Sequence, residues 1–537
     1  MIVKYLAFRM TAIGLLMLED LDRSQITFVF LLHRTQRTKN NWRNYEGSTT
    51  SRWLNQFENR TVRASDTQVI YTIHLPSFTK KGTYFDASKY AALLSHLGVS
   101  IVHLLPLEAS RCDSSSTIDL SCWYHSRVIY PGIPHPDLGS VSDLHAFLAK
   151  LMQFQISAVA ELDLAHFTHD SDWYNYDGSA TSQSFGALFG VSPVYSYRDE
   201  TCSKPDFRTG AASQLVLSSI LNRYVSTFGL HGFWMKGMLC LRLDGASCEQ
   251  GVGADNDHVI SFLREMANRG WTLLGEDGNG FVQAATSRIK DITAPISQGG
   301  LGFTAQSNLA KGELLVSIVL QKPIPGLELV RFIEGFADFS ARHVLALNTP
   351  ETIHVSTVST IESSSSPPLR LPSRSRLSPD LHGFLRFHFL SEVGSFNEAS
   401  MTWESRGPRF GVFNYTRTLL SYRVSRALVP PYAPSLYFNA NDTVFALLLN
   451  KKMERAVIVM NTAARPTNAS VEIDFPPSFS GKWTPVIKSD GAEIFGGNPS
   501  KGDEVVVGKC LNQMAHKYMQ CANVTLGAFA FRIYESY

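Results

Sequence analysis

Lys236 occupies a position where a catalytic group is expected. The segment HGFWMKGML, residues 231–239, ends an alternating apolar run and places this lysine in its middle. A strand that delivers side chains into a cleft commonly presents a carboxylate there, which acts as a nucleophile or an acid. Two other apolar segments do present carboxylates, Glu161 in AELDLAHF and Glu276 in LLGEDGNG. The chemistry therefore depends on how the fold positions one ammonium and these two carboxylates.

Alternating strand and helix patterns surround these three residues. The strand patterns are VIYTIHL, VSIVHLLPL, ISAVAELDLAHF, LHGFWMKGML and WTLLGEDGNG. Helical patterns such as DASKYAALLSHLG, VSDLHAFLAKLMQFQ and DNDHVISFLREMANRG separate them. Strand–helix repeats with apolar strands predict an α/β fold with a parallel sheet covered by helices, and a spread over roughly 250 residues favours a closed (β/α)8 TIM barrel.

The C-terminal part of the chain has a different pattern. Residues 355–380 are rich in Ser and Pro, which predicts a surface loop or a disordered insertion. Helical patterning resumes in LHGFLRFHFLSEVG, and the short strand patterns TVFALLLN, RAVIVMNT, ASVEIDF, DEVVVG and AFAFRIY follow. We therefore predict an N-terminal segment at 1–65, a barrel at 66–434 and an all-β sandwich domain at 435–537.

The near-neutral composition argues against two classes of binding partner. The formal net charge of +2 over 537 residues gives no electrostatic footprint for nucleic acid or an anionic membrane.

The N-terminus carries Lys4 and Arg9 and no acidic residue before Glu19, as in a short targeting helix or a signal sequence. Its apolar run is too short to span a bilayer. This pattern favours a mitochondrial or other organellar address, with cytoplasmic and secretory locations left open.

Seven cysteines do not form a disulfide framework in so large a chain. Free buried thiols are the favoured interpretation over a disulfide for each pair that is close in sequence, namely Cys112/Cys122, Cys240/Cys248 and Cys510/Cys521. No CxxC or HxxxH spacing occurs, so no metal and no cofactor is expected.

Asparagines in Asn-x-Ser/Thr sequons occur at Asn59, Asn414, Asn441, Asn468 and Asn523. Chance alone predicts about three or four such sequons in this composition. Their number therefore does not argue for secretion.

The ordered set of segments resembles the α-amylase superfamily of glycoside hydrolases, and within it the bacterial-type 1,4-α-glucan branching enzymes. Segments 69–78, 97–108 and 160–167 are similar to the first three barrel strands of that family. GGLGF (299–303) is similar to a late barrel loop, VLALNTPETIH (344–354) to the seventh-strand motif and SDGAEIFGGNP (489–499) to the C-terminal β-domain. The resemblance implies a barrel with a C-terminal β-sandwich, and a remnant of the family's N-terminal carbohydrate-binding sandwich within 1–65.

The resemblance also implies where the catalytic groups fall. Retaining transfer between sugars needs two carboxyl groups that flank the scissile bond. The family's fourth-strand Arg and nucleophilic Asp fall on Trp234 and Lys236, whereas the fifth-strand acid is kept as Glu276. The seventh-strand His–Asp pair falls on Thr349 and Pro350. Two of the family's three catalytic carboxylates are therefore missing, including the nucleophile, so no working catalytic residue is expected.

A second alignment of the fourth strand stays open. LCLRLDG (239–245) carries Arg242 and Asp244 in the family's R-x-D order, so this register would restore a nucleophile at Asp244. FGLHGF favours the Lys236 register, since it resembles the usual approach to the strand. In the third-strand motif an Asp becomes Glu161, while the His is kept as His166.

Each remaining cleft residue has two interpretations. Glu276 lacks a partner carboxylate. This favours a remnant or a hydrogen-bonding residue over a working catalytic acid. Trp234 and Trp403 are candidates for stacking on a sugar or for packing in the core. Lys236 is a candidate for an ion pair with Glu276 or Glu161. A remnant substrate-binding cleft would consist of Glu161, His166, Trp234 and Glu276.

The sequence therefore predicts a catalytically inactive branching-enzyme-like protein, a pseudoenzyme that serves as a structural or interaction subunit of a larger assembly. The alternatives are an α-glucan-binding protein and a residual branching enzyme that makes α-1,6 branches. Protein partners are expected at residues 34–52 and 355–380, because the barrel does not need these extensions. Neither direct nucleic-acid binding nor a transmembrane segment is expected.

Overall fold

The computed structural model describes the barrel strands, much of their helical cover and the strands of the C-terminal domain. The described residues are 69–110, 128–165, 167–168, 195–197, 199–204, 207, 213, 216–244, 252–277, 287–289, 291–307, 343–346, 384–388, 417–422, 435–438, 444–451, 454–461, 465–473, 482–488, 505–512, 517–527 and 531–536. The predictions for 1–65 and 355–380 lie outside these residues.

Fifteen strands precede the C-terminal domain in the described part of the chain. They are β1 (Val69–Ile73), β2 (Ile101–Leu104), β3 (Glu108–Ser110), β4 (Val128–Pro134), β5 (Ser157–Asp163), β6 (Phe167–Thr168), β7 (Tyr195–Tyr197), β8 (Asp199–Lys204), β9 (Gly232–Lys236), β10 (Leu243–Asp244), β11 (Ala254–Asp255), β12 (Thr272–Gly275), β13 (Ala305–Ser307), β14 (His343–Ala346) and β15 (Phe384–His388).

Helices cover this part of the chain. They are α1 (Leu75–Phe78), α2 (Tyr84–Ser88), α3 (Ala91–Leu97), α4 (Val141–Gln153), α5 (Met238–Arg242) and α6 (Asp257–Asn268), with π-helical segments at Leu217–Leu221 and Arg223–Phe228. Their ends follow ordinary capping chemistry. Ser140 forms a capping box with Asp143 at the start of α4, and Asn256 accepts hydrogen bonds from the first turn of α6.

Eight parallel strands close into a barrel in the order β1-β2-β5-β9-β12-β13-β14-β15, and β15 pairs with β1. The predicted (β/α)8 barrel is confirmed. The first five strand patterns and the seventh-strand motif all lie on barrel strands. GGLGF precedes β13, the sixth barrel strand, as expected for a late barrel loop.

The eighth barrel strand corrects one prediction. LHGFLRFHFLSEVG was expected to be helical, but Phe384–His388 within it is β15, which pairs in parallel with β14 and β1. Apolar residues at Phe384, Leu385 and Phe387 fit either periodicity over so short a run. The gap between the first and seventh barrel strands favours a strand at Phe384–His388, because both neighbouring strands offer it backbone hydrogen-bond partners.

Side-chain alternation on β9 separates the barrel interior from the side that faces the helices. Phe233 and Met235 pack in the large core beneath the helices, whereas Trp234 lies inside the barrel. The interior apolar layer consists of Ile70, Ile101, Val159, Trp234, Leu274 and Ala305. Because side chains alternate with period two, residues two positions further on face the same way. These residues are Thr72, His103, Glu161, Lys236 and Glu276.

The structure decides between the two registers for the fourth strand. β9 pairs with β5 through Asp163 and Lys236, and with β12 through Met235 and Gly275. Asp244 instead lies beyond α5, on the two-residue strand β10 that pairs with β11. Lys236 therefore ends the fourth barrel strand, and the register that put Asp244 there is wrong.

The C-terminal domain is an antiparallel sheet of eight strands. Its strands are β16 (Ser435–Phe438), β17 (Val444–Lys451), β18 (Glu454–Asn461), β19 (Thr467–Ile473), β20 (Lys482–Lys488), β21 (Val505–Asn512), β22 (Lys517–Leu526) and β23 (Phe531–Ser536), in the order β16-β17-β18-β23-β20-β21-β22-β19. Its two halves enclose an apolar core around Trp483, with Val457 and Val459 from one half and Val471 and Val524 from the other. This two-layer arrangement is the predicted sandwich.

The helical segment 417–422 joins the sandwich to the barrel. Leu419 and Leu420 are buried in the same core as Ile458 and Ile533 of the sandwich. The Tyr422 hydroxyl donates a hydrogen bond to Glu535 Oε1 at 2.8 Å. The barrel and the sandwich thus share one hydrophobic core at this junction.

Two cysteines correct the thiol prediction. Cys240 and Cys521 are each disulfide-bonded, whereas free thiols were expected. A disulfide requires a short and specific separation of two Cβ atoms, which the tertiary structure sets. The predictions for Cys112, Cys122, Cys248 and the side chain of Cys510 lie outside what the structure describes.

No helix within the described residues is long and apolar enough to cross a membrane. The same residues contain no group of three or more His, Cys, Asp or Glu side chains that could hold a metal ion.

Candidate functional site

Lys236 and Glu161 meet at the carboxyl end of the barrel, where the catalytic groups of TIM barrels lie. Lys236 Nζ is 3.9 Å from Glu161 Oε1. The Glu161 side chain is 2% exposed and the Lys236 side chain 27% exposed. A carboxylate so deeply buried needs charge pairing or hydrogen bonds to remain ionised, and the ammonium supplies part of that. Of the two partners predicted for Lys236, the structure shows the ion pair with Glu161.

His103 approaches the same carboxylate from the second barrel strand. Its Nε2 lies 3.6 Å from Glu161 Oε2, and its Nδ1 lies 3.1 Å from the hydroxyl of Thr72. The imidazole is fully buried and stacks on the Trp234 indole with ring centroids 4.7 Å apart. Sequence reasoning missed His103 and Thr72. The available signal was a histidine inside the apolar strand VSIVHLLPL, which needs a polar partner once it is buried.

Trp234, which the resemblance aligns with an arginine of the family, connects the barrel interior to Glu276. Its indole Nε1 donates a hydrogen bond to Glu276 Oε1 at 2.6 Å. The ring is fully buried in the interior apolar layer. The ring therefore has no exposed face on which a sugar could stack. Of its two predicted roles, the structure shows packing in the core. Glu276 lies just beyond β12 and is partly exposed, so its carboxylate borders the cleft.

A buried ion pair fixes the chain that follows β9 and β12. Arg242 is fully buried and donates two hydrogen bonds to Asp277, from Nε to Oδ1 at 2.7 Å and from Nη2 to Oδ2 at 2.8 Å. Its Nη1 donates to Ser287 Oγ at 2.5 Å and lies 3.5 Å from Asp255 Oδ1. This bidentate pair holds Asp277, the neighbour of Glu276, in a single position.

Asp255 and Asp244 extend this network on its outer side. Burial raises the pKa of the Asp255 carboxyl, but hydrogen bonds from the Arg288 backbone, Ser287 and the Arg288 side chain hold that pKa below its usual value. Asn256 Nδ2 donates to Asp244 Oδ2 at 3.0 Å. Arg242 and Asp244, the two residues of the alternative nucleophile register, thus occur in structural contacts beyond the strand end.

Glu108 is a further buried carboxyl group, and it lies on β3. Its Oε1 accepts a hydrogen bond from the Gly132 backbone N–H at 2.7 Å, which joins β3 to β4. Burial raises the pKa of Glu108 to about 7. Hydrogen bonds from the Gly132 backbone and the Tyr224 side chain lower this pKa, and the charge of nearby Asp163 raises it. Glu108 is therefore close to half-ionised at neutral pH, although no sequence motif singled it out.

The described strand ends present an ammonium between two carboxylates. Glu161 lies near the end of the third barrel strand, Lys236 ends the fourth and Glu276 follows the fifth. An ammonium at the fourth strand can donate hydrogen bonds or attract an anion, but it cannot form a glycosyl ester. The predicted positions His166, Thr349, Pro350 and Trp403 lie outside the described residues.

Relatives by sequence are branching enzymes. The chain is 23% identical over 284 residues to a 1,4-α-glucan branching enzyme GlgB of Oceanobacillus iheyensis, which covers 48% of this chain and 40% of that protein. It is 24% identical over 264 residues to GlgB of Bacillus cereus, with 45% and 36% covered. The matches thus span about two fifths of the length of these curated relatives. No family model matches the chain.

Solved structures with a similar fold include α-amylases. An Anoxybacillus α-amylase superposes with a TM-score of 0.63 at 11% identity, over 88% of this chain and 98% of that one. A Geobacillus thermoleovorans α-amylase complexed with acarbose gives a TM-score of 0.61 at 12% identity, over 88% and 99%. The chain is thus similar in sequence to the 1,4-α-glucan branching enzymes and similar in fold to the α-amylases, with which it shares the closed barrel.

Proposed function

We propose that this protein is a pseudoenzyme of the branching-enzyme group, which serves as a structural or interaction subunit of a larger assembly. The observation that carries the proposal is the end of the fourth barrel strand. There Lys236 forms an ion pair with Glu161, at the position that the family resemblance assigns to a nucleophilic aspartate.

The chemistry of glycosyl transfer supports this proposal. Retaining transfer requires a carboxylate that attacks the anomeric carbon and an acid across the scissile bond, about 5–5.5 Å away. An ammonium at the nucleophile position forms no glycosyl ester, and its charge opposes an oxocarbenium-like transition state. Glu276 keeps the type of the family's acid, but its carboxylate accepts a hydrogen bond from Trp234.

A branching assay tests the loss of catalysis. The full-length chain is incubated with a linear α-1,4-glucan, and branch points are counted from the chain lengths released by enzymatic debranching. We expect equal, background levels for the wild-type chain and for Glu276→Gln, which keeps the shape of the side chain. Branching by the wild-type chain that Glu276→Gln abolishes would show a working acid and overturn the pseudoenzyme proposal.

The same assay separates the alternatives. Branching that survives Glu276→Gln but is lost in Asp244→Asn would favour a residual enzyme that uses Asp244. Binding of maltooligosaccharides without turnover, measured by calorimetry at millimolar sugar, would favour the α-glucan-binding alternative. We expect neither result, because Trp234 is buried and Asp244 is bound by Asn256 beyond the strand end.

The role in an assembly has its own test. The endogenous protein in a gentle extract is compared by sedimentation with the purified chain, whose mass is 59.7 kDa. We expect the endogenous protein to sediment as a larger species that high salt or mild detergent reduces toward the purified form. Sedimentation of both as the same 59.7 kDa species would contradict the assembly role.

A further inference from the structure

Two Asn-x-Ser/Thr sequons lie side by side on the C-terminal sandwich. Asn468-Ala469-Ser470 is on β19 and Asn523-Val524-Thr525 is on β22. The two strands are antiparallel neighbours, with Asn468 opposite Thr525 and Ser470 opposite Asn523. Each acceptor asparagine is therefore paired across the strands with the hydroxyl residue of the other sequon.

All four of these side chains face solvent. Asn468, Ser470, Asn523 and Thr525 are exposed. The residues that alternate with them on β22 are buried in the sandwich core, namely Ala522, Val524 and Leu526. Because side chains of a strand alternate between its two faces, both sequons project from the same outer face of the sheet. An oligosaccharide attached to either asparagine would displace no core side chain.

The position of β19 gives such an attachment a physical consequence. β19 is the last strand in the sheet order and pairs with β22 among the described strands. Edge strands present unpaired backbone groups and invite pairing with other chains, so proteins commonly cover or charge them. β19 carries one charged side chain, Glu472, among its seven residues. A bulky, hydrated substituent next to this edge would block such pairing.

The disulfide-bonded cysteines indicate the compartment in which this attachment takes place. Cys521 lies on β22 two residues before Asn523, and Cys240 lies in the barrel on α5. Both are disulfide-bonded. Disulfides persist in secreted proteins and in the lumen of the secretory pathway, whereas cytosolic thiols are kept reduced. The same lumen is where sequon asparagines receive oligosaccharides.

We propose that Asn468 and Asn523 are N-glycosylation sites, and that the chain folds in an oxidising secretory compartment. The reaction joins the asparagine Nδ2 to the anomeric carbon of the first sugar. The bond that breaks joins this carbon to the diphosphate of a lipid-diphosphate-linked oligosaccharide, and the diphosphate leaves with the bonding electron pair. One amide proton passes to a base of the transferring enzyme. This proposal is independent of the barrel cleft and of any catalytic activity there.

Peptide mapping of the full-length chain tests the proposal. The chain is produced in a eukaryotic cell with its own N-terminus, digested with a peptide N-glycosidase and analysed by mass spectrometry. The digestion converts each glycan-bearing asparagine to aspartate. We expect this conversion at positions 468 and 523, together with at least two stepwise losses of mass in the intact chain. Unmodified peptides at both positions in the folded chain would overturn the proposal.

Matched variants show that the sequons themselves are recognised. Ser470→Ala and Thr525→Ala keep both asparagines, so each should lose one glycan while the other remains. Ser470→Thr preserves the sequon and should keep both glycans. Retention of both glycans in the two alanine variants would contradict the assignment.

Thiol labelling tests the compartment separately. In cells lysed directly into denaturant with the alkylating reagent present, Cys240 and Cys521 should resist alkylation until a reductant is added, since unfolding exposes any free thiol. Immediate labelling of both cysteines would place the chain in a reducing compartment and overturn the proposal.

Discussion

Lys236 Nζ lies 3.9 Å from Glu161 Oε1, across the neighbouring third and fourth strands of the barrel. The contact places a cation at the end of the fourth barrel strand, the position that the family resemblance assigns to the nucleophile. Glu161 is buried, and His103 Nε2 lies 3.6 Å from its other carboxylate oxygen. The Lys236 ammonium therefore pairs with a buried carboxylate at this end of the barrel.

A double-mutant cycle on Lys236 and Glu161 measures the strength of this pair. Lys236→Met should lower the free energy of unfolding by about 1–2 kcal/mol, because it leaves a buried carboxylate without its ammonium, and partial exposure of the lysine limits the cost. Glu161→Gln combined with Lys236→Met should cost less than the sum of the single changes. Additive costs in urea denaturation would show that the two side chains do not interact.

Trp234→Phe tests the hydrogen bond between the indole and Glu276. The variant loses the donor to a carboxylate and part of a fully buried ring, so we expect a loss of about 2–4 kcal/mol. Trp271→Phe is the matched control, since Trp271 is only partly buried and packs against Phe233. Equal losses for the two variants, measured by urea denaturation, would argue against a structural role for the bond.

Arg242→Met should be the most destabilising change near the cleft. It removes the guanidinium that binds Asp277 in a bidentate manner and leaves that buried carboxylate unpaired, at a cost of about 3–5 kcal/mol. Arg264→Met removes hydrogen bonds to the Gly299 and Gly300 carbonyls on a partly exposed side chain, and should cost about 1 kcal/mol. Thermal unfolding of both variants checks this ranking, and a milder effect for Arg242→Met would refute it.

Glu108 should make stability depend on pH. Burial raises its pKa from an ordinary 4.5 to about 7 in the folded chain, so the folded state holds the proton more tightly than the unfolded state. The contribution of Glu108 to the free energy of unfolding is therefore fully present below about pH 4.5. It is lost as the pH rises to about 7, by roughly 3 kcal/mol in total.

Glu108→Gln should abolish this contribution, because the amide has no ionisable proton and its oxygen still accepts from Gly132. The difference in unfolding free energy between variant and wild type should therefore grow in favour of the variant between pH 4.5 and pH 7. A pH-independent difference would mean that Glu108 is not desolvated in solution.

Gly232→Ala tests the close contact between β9 and β12. A Cβ at this position would lie 1.9 Å from the Thr272 carbonyl oxygen, so the strands would have to separate, at a cost of about 3 kcal/mol or more. At Gly299 a Cβ meets nothing within 4 Å, and Gly299→Ala should cost only about 1 kcal/mol for its left-handed backbone. Similar thermal midpoints for the two variants would contradict the strand spacing at this position.

Periodicity predicted the strands that are long or fully apolar. VIYTI and IVHL are buried along their whole length, so their composition alone indicated barrel strands. Phe384–His388 was misassigned because a five-residue apolar pattern suits a helix as well as a strand. The closure of the barrel supplies the hydrogen-bond partners that select the strand.

The cleft residues could be named from the sequence, but their partners could not. Lys236 stood beside two candidate carboxylates, and nothing local distinguishes Glu161 from Glu276. The stagger between neighbouring barrel strands places Asp163, two residues beyond Glu161, level with Lys236, while Trp234 reaches Glu276. Registers across strands far apart in the chain decide such contacts.

The barrel, the sandwich and the lysine at the fourth strand could all be inferred from the order of residues along the chain. Three further features emerged only from the folded arrangement: Asp244 lies beyond this strand, Cys240 and Cys521 are each in a disulfide, and two sequons lie opposite each other on one outer face. The physical reason is that periodicity and composition are local properties. Contacts between distant segments depend on strand register and closure, which exist only in the folded chain.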